Sequence, residues 1–192
     1  MSRTRTFIAI DPGKDIRNRL VALQEQLAKA GTEVKWVEPE NLHVTLLFLG
    51  EVDERDLPAV CKAVADVTQQ TLAFPMSVER ASCFGSPRRP RTLWAGVGEG
   101  TQAVCALHDA LEGPLLDLGC YRREERQYTP HITLGRVRGD RPGDQLGAAL
   151  AKQAGWRCGE QPVREVLVMG SELTPKGPVY TVMGRGKLGT EA

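Results

Sequence analysis

Two copies of a histidine followed two positions later by a threonine are the residues of this sequence best suited to chemistry. His43 and Thr45 stand in NLHVTLLFLG, and His131 and Thr133 stand in TPHITLGRV. Side chains two positions apart on a strand share a face, so each segment presents an imidazole beside a hydroxyl. The chain has three histidines, and the use of two of them in matching pairs indicates a shared task.

Two such pairs on either side of one substrate suit in-line displacement at phosphorus. One neutral imidazole can take the proton of an attacking hydroxyl or water, while the other, protonated, delivers a proton to the departing oxygen. The threonine hydroxyls can donate hydrogen bonds to the non-bridging oxygens, where negative charge builds up in the transition state. Imidazole serves both tasks because its unperturbed pKa is about 6.5. The pattern therefore predicts acid–base chemistry on a phosphate ester without a metal ion.

A single histidine on a half-buried strand is more commonly structural, and only the repetition favours function. The third histidine, His108, has no threonine two residues later. It falls in a helical segment beside the apolar stripe. We therefore predict that His108 is a surface residue of a helix with no part in the chemistry.

The elements that carry the two pairs follow the same order. RTFIA at 5–9 and RTLWA at 91–95 each begin an apolar strand that precedes an amphipathic helix and then a His-x-Thr strand. The histidine follows the first arginine by 38 positions in one unit and by 40 in the other. The helical stripes are Ile16, Leu20, Leu23 and Leu27, and Val104, Leu107, Leu111 and either Leu115 or Leu118. Duplicated strand–helix–strand units around 5–50 and 91–138 predict two similar lobes, related by a pseudo-twofold axis, within one domain spanning 1–192.

Composition excludes several classes of protein. A chain of 192 residues with net charge +1 is neither a strongly basic nucleic-acid coat nor an acidic tail. The first apolar run ends at Asp11, which is too short for a signal peptide or a membrane span. The five cysteines contain no Cys-x-x-Cys pair, so we predict free thiols in a reducing cytoplasm, not a disulfide framework or a zinc site.

The remaining patterns predict further elements. The strand that contains His43 should end at Gly50, and a helix should occupy 54–70. Further strands are predicted at 76–84, 163–171 and 178–183, with a turn region across 170–178. Arginines are concentrated in a predicted loop at 85–91 and in residues 121–126.

Strand alternation also assigns faces to two residues near the motifs. Phe48 should point into the core, on the face opposite His43. Arg136 should face away from His131, unless a strand end or a bulge after Gly135 reverses it. Trp36, Phe84, Tyr121 and Tyr128 are candidates for stacking on a nucleobase.

The segments HVTLLFLG and HITLGR resemble the paired signatures of the 2H phosphoesterase superfamily. The whole chain is similar to its bacterial and archaeal RNA 2′,3′-cyclic phosphodiesterase branch, the LigT-like or 2′-5′ RNA ligase family, through RTFIAIDP, ENLHVTLLFLGEV, RTLWA, PHITLGR and a late S-x-L…G-x-x-Y. The resemblance implies a bilobal α+β fold with an antiparallel sheet in each lobe, outer helices and a central cleft. It also implies a metal-independent, cofactor-free hydrolysis of a terminal 2′,3′-cyclic phosphate to a 2′-phosphate, with reversible 2′-5′ joining of RNA such as tRNA halves.

By the same resemblance, His43 is the general acid on O3′, His131 is the general base on water, and Thr45 and Thr133 assist them. Arg136 matches an arginine that contacts the phosphate end of the substrate, and Arg126, Tyr128 and Phe48 are further candidates for substrate contacts. We expect a cytoplasmic monomer that binds RNA ends and no membrane. The same four motif residues would serve a 2H enzyme acting on a cyclic nucleotide, an ADP-ribose derivative or a 2′-5′ oligonucleotide. The alternative from another functional class is a binding module, which would hold RNA ends without catalysing a reaction.

Overall fold

The computed structural model of the protein describes residues 2–123, 125, 127–139, 144–175 and 177–190. The fold is of the predicted α+β class, and the described residues form four α-helices against one curled antiparallel sheet. The strands are β1 (Arg3–Ile10), β2 (Val34–Trp36), β3 (Val44–Asp53), β4 (Phe74–Ser86), β5 (Arg89–Val97), β6 (His131–Val137), β7 (Arg157–Val163), β8 (Glu165–Thr174) and β9 (Gly177–Lys187). The helices are α1 (Gly13–Ala28), α2 (Leu57–Gln69), α3 (Thr101–Asp117) and α4 (Asp144–Ala151).

The order of the strands is symmetric about the centre of the sheet. It runs β7-β4-β5-β6-β3-β1-β8-β9, with β2 pairing on β6 outside this path. The two motif strands, β3 and β6, lie at the centre, and each is flanked by the strand that opens its own half, β1 or β5. This order supports the predicted duplication, which stays a prediction. The expected sheets of the two lobes are thus joined into one through β3 and β6.

The helices hold the two halves together. The stripe residues of α1 and α3 are buried, with exposed fractions of 3% or less, and the second stripe ends at Leu115, because Leu118 follows the end of α3 and is 41% exposed. Helix α1 packs against β7 of the second half, whereas α3 packs against β3 of the first. Each half is therefore packed in part by a helix from the other half, while α2 packs on β8 and β9 and α4 on β4 and β5. Burial of the stripe residues stabilises both halves together.

The motif strands meet at equivalent residues and then separate. Val44 pairs with Ile132, the residue between histidine and threonine in each motif, and both are fully buried. Beyond this pair β3 continues along β1, while β6 continues along β5 and β2. The histidine and threonine of each motif, next to these buried residues on the opposite face, consequently line the cleft that opens there.

Each motif strand carries an extra residue directly after its threonine. Thr45 and Leu47 pair with Ala9 and Ile8, which are adjacent in β1, so Leu46 is a bulge. Thr133 and Gly135 likewise pair with Trp94 and Leu93, so Leu134 is a bulge in β6. A bulge reverses the alternation of all residues that follow it, until another bulge restores it.

The structure differs from the predicted elements at several turns. Strand β3 does not end at Gly50, which pairs with Thr6 and takes the positive φ of +73° that glycine permits. The segment 85–91 belongs mainly to a β4–β5 hairpin, and 170–174 belongs to β8, so both predicted loops are too long. Helix α4 and strand β7 were not predicted, because neither segment has a clear apolar period.

Candidate active site

His43 lies at the entrance of β3, directly after a short 3-10 helix, Pro39–Asn41. Its Nδ1 is 2.7 Å from the backbone oxygen of Asn41. Because a carbonyl can only accept, Nδ1 carries the hydrogen and Nε2 is left for a substrate. Asn41 is itself held in place, since its buried side-chain amide donates to the backbone oxygen of Pro178 at 2.9 Å.

His131, the first residue of β6, is held in the same way. Its Nδ1 is 2.6 Å from the backbone oxygen of Thr129, again two residues before the histidine. Both imidazoles therefore have the same tautomer when neutral, with Nε2 free to exchange a proton. The equivalence of the two motifs extends to their hydrogen bonds.

Each histidine is packed among aromatic rings. The ring centroids of Phe7 and Tyr180 lie 4.9 Å and 5.6 Å from that of His43. Those of Phe84 and Trp94 lie 5.0 Å and 6.1 Å from that of His131. These contacts limit the orientations of both imidazoles and remove much of the surrounding water.

Burial lowers the pKa of both histidines, because it removes the hydration of the charged imidazole. The carbonyl bonded to each ring opposes this effect and raises the pKa. Nearby charges act in opposite directions at the two histidines. The Asp11 carboxylate raises the pKa of His43, whereas the Arg136 guanidinium lowers the pKa of His131. Asp11 thus favours the protonated form of His43 and Arg136 the neutral form of His131, while burial, the largest cause, lowers the pKa of both.

The cleft contains two adjoining cavities. One, of about 230 Å³, is bordered by His43, Thr133 and Arg136. The other, of about 300 Å³, is bordered by His131 and extends toward α3. Thr45 and Phe48 border both. The four motif residues predicted from the sequence are therefore gathered around one cleft.

Phe48 does not point into the core as strand alternation predicted. It pairs with Phe7, two residues before the Ala9 that pairs with Thr45, so Phe48 shares the face of Thr45. The Leu46 bulge causes this reversal, and the side chain is 56% exposed in the cleft. Its selection as a candidate for substrate contact agrees with this position, but the contact itself stays a prediction.

Arg136 also lies on the cleft side. It pairs with Thr92, and Thr133 pairs with Trp94, so the Leu134 bulge brings both residues of β6 to one face. This bulge precedes Gly135, whereas the bulge considered from the sequence follows it. Arg136 donates a hydrogen bond of 3.3 Å from Nη1 to the Thr92 hydroxyl.

The other two candidates for substrate contact are Tyr128 and Arg126, and the structure describes only the first of them. The Tyr128 hydroxyl donates to the backbone oxygen of Thr45 at 2.7 Å, and one face of its ring is covered by His108. Arg126 lies outside the described residues.

The interpretation of His108 as an uninvolved surface residue is wrong in part. The residue is on α3, as expected, but its side chain is only 12% exposed and borders the cavity beside His131. Asn41 and Asp11 were missed as supports of His43. Asn41 and Thr129 could have been found from the sequence as the residues two before each histidine, while Asp11 had no comparable signal.

Two absences concern the described part of the chain. Among those residues, no three or more His, Cys, Asp and Glu side chains are grouped so that they could hold a metal ion. None of the helices described there is long and apolar enough to cross a membrane.

Comparisons with known proteins identify the family. A family model described as LigT-like phosphoesterase matches residues 10–94. The chain is 38% identical over 181 residues to a protein of Methanothermobacter thermautotrophicus named RNA 2′,3′-cyclic phosphodiesterase, covering 94% of this chain and 97% of that one. It is 36% identical over 179 residues to a protein of the same name from Archaeoglobus fulgidus, with coverages of 92% and 96%. A crystal structure of a Thermus thermophilus protein matches with a TM-score of 0.81 and 27% identity, over 98% of this chain and all of that one (100%). The chain therefore belongs to the LigT-like phosphoesterase family, as its sequence motifs predicted.

Proposed function

We propose that the protein hydrolyses a 2′,3′-cyclic phosphate at the end of an RNA to a 2′-phosphate. The names of its relatives support this substrate class. The observation that carries the proposal is the pair of matched histidines, each with Nδ1 bonded to a carbonyl and Nε2 free, in one cleft. Such a pair supplies both an acid and a base within reach of one phosphate.

The charges around the histidines support distinct roles for them. His131, beside Arg136, is the base, because a nearby cation favours the neutral ring. His43, near Asp11, is the acid, and the negative charge of a bound phosphate would further favour its protonated form. These assignments agree with the roles that the sequence motifs imply.

The reaction then proceeds by one in-line displacement. Water attacks phosphorus while it loses a proton to Nε2 of His131. The bond between phosphorus and O3′ breaks, and O3′ takes the proton of His43, so the phosphate stays on O2′. Thr45 and Thr133 donate hydrogen bonds to the non-bridging oxygens. Loss of either hydroxyl should lower kcat/KM by about 10- to 1000-fold, the range for one oxyanion donor.

Product analysis tests this proposal. Purified protein is incubated in EDTA with adenosine 2′,3′-cyclic phosphate and, separately, with a short RNA that ends in a cyclic phosphate. The monoester is then identified by NMR. A 2′-phosphate from the RNA is expected, and its absence in His43→Ala and His131→Ala would assign it to these residues. Turnover of the nucleotide but not of the RNA would indicate a cyclic-nucleotide enzyme. The absence of any turnover would indicate a binding module. A 3′-phosphate product would reverse the role of His43.

Reversible 2′-5′ RNA ligation is a second candidate, favoured by the cavity beside His131. A water nucleophile needs no cavity of about 300 Å³, whereas a nucleoside that attacks through its 5′-hydroxyl does. Incubation of a cyclic-phosphate RNA with a 5′-hydroxyl RNA should give a joined product with a 2′-5′ linkage. Hydrolysis without any joined product, at high concentration of the second RNA, would limit the protein to the first reaction.

The proposal extends to the setting of the reaction. The five cysteines are all free thiols, which supports a reducing compartment such as the cytoplasm. RNA ends such as those of cleaved tRNA are the proposed substrates, and the protein is proposed to act as a monomer.

A further inference from the structure

His108 and Tyr128 form a stacked pair at the edge of the cleft. Their ring centroids are 4.1 Å apart and their planes differ by 8°. The Tyr128 hydroxyl, at the end of this stack, donates to the backbone oxygen of Thr45 at 2.7 Å. A chain of contacts thus runs from α3, through the segment that precedes β6, to the first motif.

The contact with Thr45 falls where β3 and β6 separate, although Thr45 still pairs with Ala9 of β1. Strands β3 and β6 share a single residue pair in the described sheet, Val44 with Ile132, and separate beyond it. Thr45 is the next residue of β3, and the Leu46 bulge follows it. Tyr128 precedes His131 by three residues, so its hydroxyl links the first threonine to the segment that carries the second histidine.

The stack explains how a tyrosine outside regular structure can hold this position. Tyr128 lies between α3 and β6, where the residues that the structure describes form neither helix nor strand. The parallel ring of His108 covers one of its faces, and His108 is itself anchored in α3 with Nδ1 at 2.9 Å from the Asp109 carboxylate. Without the stack, the tyrosine ring could rotate and its hydroxyl would leave Thr45.

We propose that His108 and Tyr128 are positioning residues that hold Thr45 at a constant distance from His131. This inference rests on the proposed function, in which Thr45 donates to the phosphate that water attacks with the help of His131. Neither residue reacts: His108 fixes the Tyr128 ring, and the Tyr128 hydroxyl fixes the backbone of Thr45. The expectation that His108 has no part in the chemistry is therefore replaced.

Four variants of the full chain test the proposal by kinetics. His108→Ala and Tyr128→Phe should each lower kcat about tenfold or more, because small displacements of a group that acts in the transition state are costly. KM should change less than kcat. His108→Phe, which keeps a stacking ring, should recover most of the lost kcat. The double variant His108→Ala/Tyr128→Phe should be no slower than the worse single variant, because both changes break the same chain of contacts.

A matched control separates positioning from stability. Thr71→Ala also removes a hydroxyl that donates to a backbone carbonyl, that of Val67 at 3.1 Å, but it lies just after α2 and outside both motif strands. It should lower Tm and leave kcat unchanged. Losses of kcat that multiply in the double variant, or a His108→Phe variant as slow as His108→Ala, would overturn the proposal. So would unchanged kcat in the single variants.

A measurement without substrate keeps this test independent of the proposed function. The ¹³C chemical shift of the Thr45 carbonyl, read by NMR, should move in Tyr128→Phe and in His108→Ala but not in Thr71→Ala. If wild-type protein shows no phosphodiesterase activity, the proposed function fails while this shift still reports the link. An unmoved carbonyl in Tyr128→Phe would overturn the link itself.

Discussion

Phe48 and Arg136 occupy equivalent positions in the two motif strands. Each lies three residues after the motif threonine, and each is turned into the cleft by the bulge that follows that threonine, at Leu46 or Leu134. From histidine to this position, the two segments have the same sequence of half-buried, buried and exposed residues. One half thus presents an aromatic ring where the other presents a guanidinium, which suits a substrate with a base on one side and a phosphate on the other.

Phe48→Ala should weaken substrate binding with little effect on folding. The ring is 56% exposed and borders both cavities, and stacking of a base on such a ring contributes about 1–3 kcal/mol. We expect KM for a cyclic-phosphate RNA to rise roughly 5- to 100-fold, with Tm nearly unchanged. Leu173→Ala, which removes a side chain that is 69% exposed on β8, is the control and should bind normally. An unchanged KM for Phe48→Ala would exclude this ring from the binding site.

Arg136→Ala should move the acidic limb of the pH–rate profile. Burial is the largest cause that lowers the pKa of His131, and the Arg136 cation is the other one. Removal of this cation therefore raises that pKa. A base must be neutral to act, and the rate should therefore begin to fall at a higher pH than in wild type. Arg138→Ala, which removes an exposed arginine 3.9 Å from the Glu33 carboxylate, should leave the limb in place. Movement of the basic limb instead would make His131 the acid.

Asp11→Asn should move the opposite limb. The Asp11 carboxylate raises the pKa of His43, against the larger lowering by burial, and asparagine keeps an oxygen that can accept from the Gly13 amide. The pKa of His43 should fall, and because an acid must be protonated, the rate should decline at a lower pH than in wild type. Asp15→Asn in the first turn of α1 is the control. Unaltered profiles in both Asp11→Asn and Arg136→Ala would contradict the acid–base assignment.

Turnover should persist after exhaustive chelation of metal ions. The expectation rests on the two histidines, whose free Nε2 atoms provide the base and the acid without metal-bound water. Activity in EDTA should equal that in untreated buffer, as measured by release of the monoester. Restoration of a lost activity by zinc or manganese would show instead that a metal takes part.

Gln24→Ala should destabilise the fold through the second motif. This buried side chain of α1 donates to the backbone oxygens of Val37 and of the bulge residue Leu134, at 2.8 Å and 2.9 Å. Loss of these bonds should lower the free energy of unfolding by about 1–3 kcal/mol, measured by chemical denaturation. The exposed Gln26 on the same helix supplies the control, since Gln26→Ala should change it by less than about 0.5 kcal/mol. Equal effects of the two changes would show that the amide bonds contribute nothing.

The sequence alone determined helices α1 and α3 and the residues of the two motifs. Apolar spacing identified α1 and α3 with their buried stripes, because a helix repeats its faces at a constant period that nearby residues reveal. The repeated His-x-Thr pattern singled out His43, Thr45, His131 and Thr133, and the resemblance of these and other segments to a known family predicted the family. Helical periodicity and short motifs both lie within short stretches of the chain, so a single sequence was enough to recognise them.

Only the tertiary structure decided which other side chains reach the cleft. Phe48 and Arg136 face it because of bulges, and a bulge depends on how a strand pairs with a neighbour far away in the sequence. Tyr128 contacts Thr45 across 83 positions of the chain, and Asp11 acts on His43 through space. Side-chain alternation describes a regular strand, and it fails at the bulges because pairing with β1 and β5 determines the register there.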